Sequence, residues 1–147
     1  MVLRGRFDET NGRPFIEGRL LLPRLRLQSD ISFIVDTGAD QSVLMPGDSI
    51  RMNVDYGALM GDIETVGIGG LARNFTEEAV LAFSDHGKIL YAYRITIQIP
   101  SVEPDILGIP SLLGRDVLDR WSMSYNPSKK RLQFRVVSAD ITLPVVP

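Results

Sequence analysis

Cysteine is absent from this chain of 147 residues. That excludes a disulfide scaffold, a thiolate metal site and a cysteine nucleophile, and it says nothing about compartment. Histidine occurs once, as His86 beside Gly87, in a stretch that reads as a turn. Serine–histidine chemistry therefore has no base placed for it. With no Cys and a single His there is no metal-ligand pattern either, and no motif asks for a cofactor. An excess of one charge is also missing, since 16 Lys and Arg stand against 18 Asp and Glu for a formal net charge of −2. Without a basic field, nucleic acid is not an expected partner. Long apolar runs are lacking as well. Leu20 to Leu22 stops at Pro23, far short of a bilayer span. Arginines near the N-terminus have no apolar stretch behind them, so no signal peptide is read. The expectation is a cytoplasmic protein with no membrane contact.

What is present suits one soluble domain over residues 1–147. Hydrophobic residues make up 44% and charged residues 23%, enough to build a core and cover it. Strand signals dominate. Val2 to Phe7 and Pro14 to Leu22 flank Asn11-Gly12, a dipeptide suited to a hairpin turn. Leu25, Leu27, Ile31, Phe33 and Val35 continue an apolar pattern, with Gln28-Ser29-Asp30 read as a polar turn inside it. Ser42 to Met45 reads as a short strand, and Pro46 opens a short helical stretch to Met52. A long hairpin is expected from Ile63 to Ile68 and Leu71 to Phe83, around Gly69-Gly70. Tyr91, Tyr93, Ile95, Ile97 and Ile99 alternate as the buried face of a further strand after the turn Asp85-His86-Gly87. A short helix is expected from Asp116 to about Trp121. Ser122 to Tyr125 should then pair with Leu132 to Val136 across Asn126-Pro127-Ser128. Arg4, Arg6, Arg19, Arg24 and Arg26 alternate with apolar residues and read as the wet face of strands. Trp121, Tyr125 and Phe134 read as core. These signals predict a mostly β, closed barrel with one short C-terminal helix.

The chemistry lies in one segment. The apolar strand Ile31 to Val35 runs straight into Asp36-Thr37-Gly38-Ala39-Asp40, and the chain is apolar again at Val43 and Leu44. A carboxylate is thus presented on a tight loop of small residues between two core strands, where burial without partners would be costly. An Asp-Thr-Gly tripeptide alone is more often an ordinary capped turn. Its apolar approach and return set this one apart. One carboxylate is a poor catalyst of peptide hydrolysis, whereas two sharing a proton can divide the work of base and acid. The sequence has only one such loop, so a two-fold axis between two Asp36 side chains would supply the second.

The run from Phe33 to Leu44 resembles the active-site segment of retroviral and retropepsin-like aspartic proteases. Leu112-Leu113-Gly114-Arg115-Asp116 is similar to that family's second signature, which opens its C-terminal helix. Gly67-Ile68-Gly69-Gly70, between the two, resembles the tip of its glycine-rich flap. The resemblance covers roughly Phe15 to Val136. It implies a retropepsin-like fold acting as an obligate homodimer on polypeptide substrates, without cofactor or metal. It implies that Asp36 is catalytic and that the Thr37 hydroxyl bonds across the dimer axis. Gly38 would offer its carbonyl to substrate backbone, with Ala39 completing the loop. Asp40 and Arg115 match an acid and an arginine that pair beneath the site.

The chain is longer at both ends than the viral enzymes, which build a shared dimer sheet from their termini. Here the tail carries Pro144 and Pro147, each without a ladder donor, although Ile141 to Leu143 suits an edge strand. The alternative reading is a catalytically silent module of the same fold, serving dimerisation or peptide binding.

Overall fold

Period-two alternation of apolar and polar residues governs most of the chain, and strands follow from it. The computed structural model describes residues 2–67 and 70–145, with side chains outside 63–72. In chain order the elements are β1 (Val2–Arg4), β2 (Arg6–Phe7), β3 (Pro14–Leu22), β4 (Leu27–Val35), α1 (Pro46–Arg51), β5 (Gly61–Gly67) and β6 (Gly70–Asp85). After them come β7 (Ile89–Pro100), β8 (Leu112–Leu113), α2 (Arg115–Leu118), β9 (Trp121–Asn126), β10 (Arg131–Val136) and β11 (Ile141–Pro144). One sheet runs β1-β10-β9. The other runs β11-β7-β6-β3-β4-β8, with β2 added on β3 and β5 on β6.

Aromatic side chains join the two sheets. The Trp121 ring meets Phe83 edge-on with centroids 4.9 Å apart, and lies 5.1 Å from Phe134 and 5.9 Å from Tyr93. Its indole N–H donates to Tyr93 Oη at 2.6 Å, and that hydroxyl donates to the Ser138 carbonyl at 2.9 Å. Both polar tips are therefore satisfied inside the core, as buried Trp and Tyr require. Tyr91, Tyr93, Ile97 and Ile99 are buried along β7, on the face that the alternation marked.

Several expectations are corrected. Among the described residues the larger sheet is an open path with ends at β11 and β8, not a closed barrel. Closure needs strand tilt and stagger that bring the two end strands together, and here one end is an edge strand on β7 and the other a two-residue strand. The Asn11-Gly12 hairpin exists only where Arg6 and Phe7 meet Phe15 and Pro14; Val2–Arg4 crosses instead to β10. Gly5 marks the switch, since a Cβ there would lie 2.6 Å from both Leu132 and the Phe15 carbonyl. Gln28-Ser29-Asp30 is not a turn but part of β4, paired with Leu21, Leu20 and Arg19. The turn is one step earlier, at Pro23–Leu25, and Arg26 closes it with φ 56°. Ser42 to Met45 forms only bridges through Val43. There is also a second short helix besides the C-terminal one: α1 begins at Pro46 as the proline predicts, while α2 stops at Leu118 because Trp121 is drawn into the core as the start of β9. Among the described residues, no helix is long and apolar enough to cross a membrane.

Candidate active site

The strand that ends at Val35 delivers Asp36 to a fixed place. β4 pairs in parallel with β8, Ile34 with Leu112 and Val35 with Leu113. The Asp36 amide donates to the Leu113 carbonyl at 3.0 Å. On the other side of β8, Val43 and Leu112 exchange amide–carbonyl bonds at 2.9 Å each. The loop 36–42 therefore leaves from one flank of β8 and returns on the other, so both its stems are locked by the same two residues.

Inside the loop the backbone turns tightly. Asp36 Oδ1 accepts the Gly38 amide at 2.9 Å, and the Asp36 carbonyl accepts the Ala39 amide at 3.2 Å. This is the local turn that a short acidic side chain favours. The bond orients the carboxylate and leaves Oδ2 without a hydrogen-bond partner in the single chain, among the described residues. Asp36 is half-buried, while Thr37 and Gly38 are exposed. A Cβ on Gly38 would sit 3.2 Å from Asp36 Oδ1, crowding the atom that its amide holds.

Beneath the loop lies the start of α2. The first amides of a helix need partners from outside it. Here Arg115 N donates to the Ala39 carbonyl at 2.8 Å and Asp116 N to the Asp40 carbonyl at 3.2 Å. Gly114 makes this approach possible: a Cβ there would come within 2.6 Å of the Gln41 carbonyl carbon and 2.9 Å of the Ala39 oxygen. Ser42, fully buried, is the bolt. Its amide and hydroxyl donate to Asp116 Oδ2 and Oδ1 at 2.9 and 2.7 Å, and the hydroxyl accepts the Gly114 amide at 3.0 Å. A second buried serine works similarly beside it. Ser111 Oγ donates to Asp48 Oδ2 at 2.6 Å and accepts the Met45 amide at 3.0 Å, tying α1 to the segment entering β8.

Arg115 also donates to Asp40 Oδ1. The two side chains are 46% and 82% exposed, so in one chain this is a surface ion pair. Screening by water leaves such pairs little net energy. The pair expected between Arg115 and Asp40 is formed, and the more buried bonds between helix and loop are those of Asp116 and Ser42. Nothing in local spacing marked Ser42. The hint was Asp116 itself, an acid at the start of a helix and facing a loop.

The β5–β6 hairpin rises from the same framework, and Gly67 pairs with Gly70 at its far end. Ile68 and Gly69 lie outside the described residues. At its root is Glu77, a fully buried acid on β6. Arg24 grips it with Nε to Oε2 at 3.0 Å and Nη2 to Oε1 at 2.9 Å, and also donates to the Ala58 carbonyl at 2.8 Å. Glu77 Oε1 accepts the Met60 amide at 2.8 Å as well. The hydrogen bond to Glu77 raises the Arg24 pKa still further. Glu77 did not stand out in the sequence, and Arg24, expected on the wet face of a strand, lies instead in the Pro23–Leu25 turn and holds this buried acid. Among the described residues, no group of three His, Asp or Glu side chains comes together as a metal site needs.

No protein-family model matches the chain, and no curated protein does. Solved structures do. A retropepsin-like aspartic protease from Rickettsia conorii aligns over 99% of this chain and 92% of its own, with TM-score 0.55 and 18% identity. EIAV protease in complex with an inhibitor aligns over 76% of this chain and 90% of its own, with TM-score 0.47 and 20% identity. The chain has a retropepsin-like fold.

Proposed function

We propose that this chain is an aspartic endopeptidase, active as a homodimer in which each copy supplies one Asp36. The observation that carries this reading is the Asp36 loop: a carboxylate with one oxygen held by the Gly38 amide, its other oxygen without a partner among the described residues, on a loop locked at both stems. A retropepsin-like fold supports it. Two such carboxylates sharing one proton is the arrangement general to aspartic proteases. One Asp36, ionised, takes a proton from water as its oxygen bonds to the carbonyl carbon of the peptide. The other, protonated, donates to the carbonyl oxygen. The tetrahedral intermediate then collapses: its hydroxyl proton returns to one carboxylate, the C–N bond breaks, and the amine leaves with a proton from the other. Water is consumed and both carboxyls regain their starting states.

In this reading the exposed Thr37 hydroxyl bonds the partner loop, and the Gly38 carbonyl meets substrate backbone. The β5–β6 hairpin serves as the flap. An extended polypeptide lying beneath it would be held as an added strand, and closure would exclude water from the carboxylates. The test is peptide cleavage by wild type beside Asp36→Asn. The amide is nearly isosteric and removes repulsion between like charges at the axis. Cleavage should fall by about 10⁴-fold, the scale of an Asp→Asn change in a catalytic triad, with thermal stability held or raised. Undiminished cleavage by the folded variant would refute the role of Asp36. A wild type that cleaves nothing while binding peptides would instead support the silent-module reading.

A further inference from the structure

Charge is shared unevenly along the chain. Residues 1–7 and 120–137 hold seven of its 16 Lys and Arg and none of its 18 Asp and Glu. The fold joins these segments as the sheet β1-β10-β9, with the turn Pro127–Lys129 at one end. Leu3, Trp121, Leu132, Phe134 and Val136 are buried on its inner face. Period-two alternation turns the residues between them to the outer face. There the register sets Arg135 between Val2 and Ser122, Gln133 between Arg4 and Ser124, and Arg131 beside Asn126. Lys129 and Lys130 continue the face beyond Arg131.

Arg4, Lys129, Lys130, Arg131 and Arg135 are all exposed, and among the described residues none of them has an acidic partner. Seven other arginines are each paired with an Asp or Glu. The five are also kept apart. Like charges directly opposite each other destabilise a sheet, and here each strand arginine stands across from a neutral residue. Their N–H donors are free for something outside the chain. Two depressions lie on this outer face. One of about 160 Å³ sits among Arg4, Lys129, Lys130, Arg131 and Gln133, and one of about 210 Å³ among Gln133, Arg135, Ser122 and Ser124.

We infer that this face is an exosite for an acidic stretch of a polypeptide substrate, outside the residues that lie at Asp36. This rests on the endopeptidase reading above and narrows its substrates to polypeptides that carry Asp and Glu near the cleaved bond. An extended polypeptide repeats its side chains on one side every second residue, about 6.8 Å apart. Arg131, Gln133 and Arg135 follow one another at that spacing along β10, with Arg4 beside the middle one. Guanidinium forks match carboxylates two bonds at a time, and Ser122, Ser124 and Gln133 supply donors between them. A nucleic acid fits less well. Among the described residues the outer face has no aromatic ring on which a base could stack, and no raised helix or ribbon to enter a groove. Stable attachment to a bilayer takes an apolar anchor in addition to basic charge, and none stands among the five cations. The acids of the chain lie elsewhere, so an acidic stretch is drawn to this face and repelled from the rest. The seven steps from Arg115, whose amide bonds the Asp36 loop, to Ser122 span at most about 25 Å. About eight extended substrate residues cover that distance.

Binding is read without turnover in Asp36→Asn, with a fluorescein-labelled peptide of alternating Glu and Asp and, as control, its Gln and Asn counterpart. Fluorescence anisotropy should show the acidic peptide bound and the neutral one unbound, with affinity falling as salt rises. Adding Arg131→Glu and Arg135→Glu should keep the circular dichroism and thermal midpoint, since both sites are exposed. It should weaken binding about tenfold, as two exposed attractions turned into repulsions imply. Arg131→Lys with Arg135→Lys should retain most of the affinity. In the active chain, joining the acidic stretch to a cleavable peptide through a Gly-Ser linker should lower KM and leave kcat unchanged. The double Glu variant should erase that gain and leave cleavage of the bare peptide as it was. Undiminished binding in the double Glu variant overturns the inference. So does a chain that binds a DNA duplex or phosphatidylserine vesicles but not the acidic peptide. Acidic-peptide binding that the Glu variant weakens, beside a wild type that cleaves nothing, upholds the face and overturns the endopeptidase reading. Cleavage of extended and bare substrates with equal KM overturns the exosite and leaves that reading standing.

Discussion

Ser42 joins the Asp36 loop to the helix beneath it through one hydroxyl that donates to Asp116 and accepts from Gly114. Ser42→Ala strands a part-buried carboxylate oxygen and a buried amide together. Such loss costs on the order of 1–3 kcal/mol. Arg115→Ala breaks only an exposed pair, and about 0–1 kcal/mol is expected in the isolated chain. Urea denaturation of both variants, with the denaturant slope unchanged, measures the difference. If Arg115→Ala proves the more damaging, the division of labour drawn here is wrong. The contrast also marks what the sequence could yield at this scale. Asp36, Thr37 and Gly38 were legible because an acid straight after an apolar strand is anomalous wherever it occurs. Ser42 was not. Its partner lies at position 116, and a polar residue reads as surface until the fold buries it. For Asp40 and Arg115 the contact was legible and its exposure was not, because exposure depends on what else packs nearby.

Hairpins were legible where their turns demand particular residues. His86 and Gly87 sit at φ 47° and 71°, and Lys130 at φ 51° after Pro127. The middle of β4 was misread because its polar residues share the composition of a turn; only pairing with β3 reveals a strand. Pairings between distant segments, such as β1 with β10, leave no local pattern at all. Two elements have their own tests. At the hairpin root, Arg24→Met leaves the Glu77 carboxylate buried without its cation, among the costlier single lesions available to a domain. Hydrogen exchange at the start of β5 should quicken and the thermal midpoint fall. The double variant with Glu77→Met should recover part of the loss, and an equal loss in single and double variants would show that no coupling exists. At the other edge, Asp140 fastens the segment leading into β11. The Arg94 amide, followed by Arg120, holds its pKa below the usual carboxylate value. A carboxylate depressed by folding stabilises the native state above its unfolded pKa, near 3.8. That contribution fades as pH falls through the folded value. Amides of β11 should therefore lose exchange protection on acidification before those of β7 do, and Asp140→Asn should abolish the difference.

For the molecule as a whole, the proposed activity needs two chains, so cleavage per chain should fall on dilution as mass action separates them. Sedimentation and initial rates measured over one concentration series check this, and a constant specific activity through the monomer range would contradict it. A further consequence follows from the end strands. Because β1 and β11 are each paired within their own chain, the polypeptide does not need a companion to complete its strands. Acquiring shape and acquiring activity then become events of different kinetic order. After dilution from denaturant, the circular dichroism signal should return at a rate independent of protein concentration. Cleavage should lag behind it, with a half-time that lengthens as the inverse of concentration.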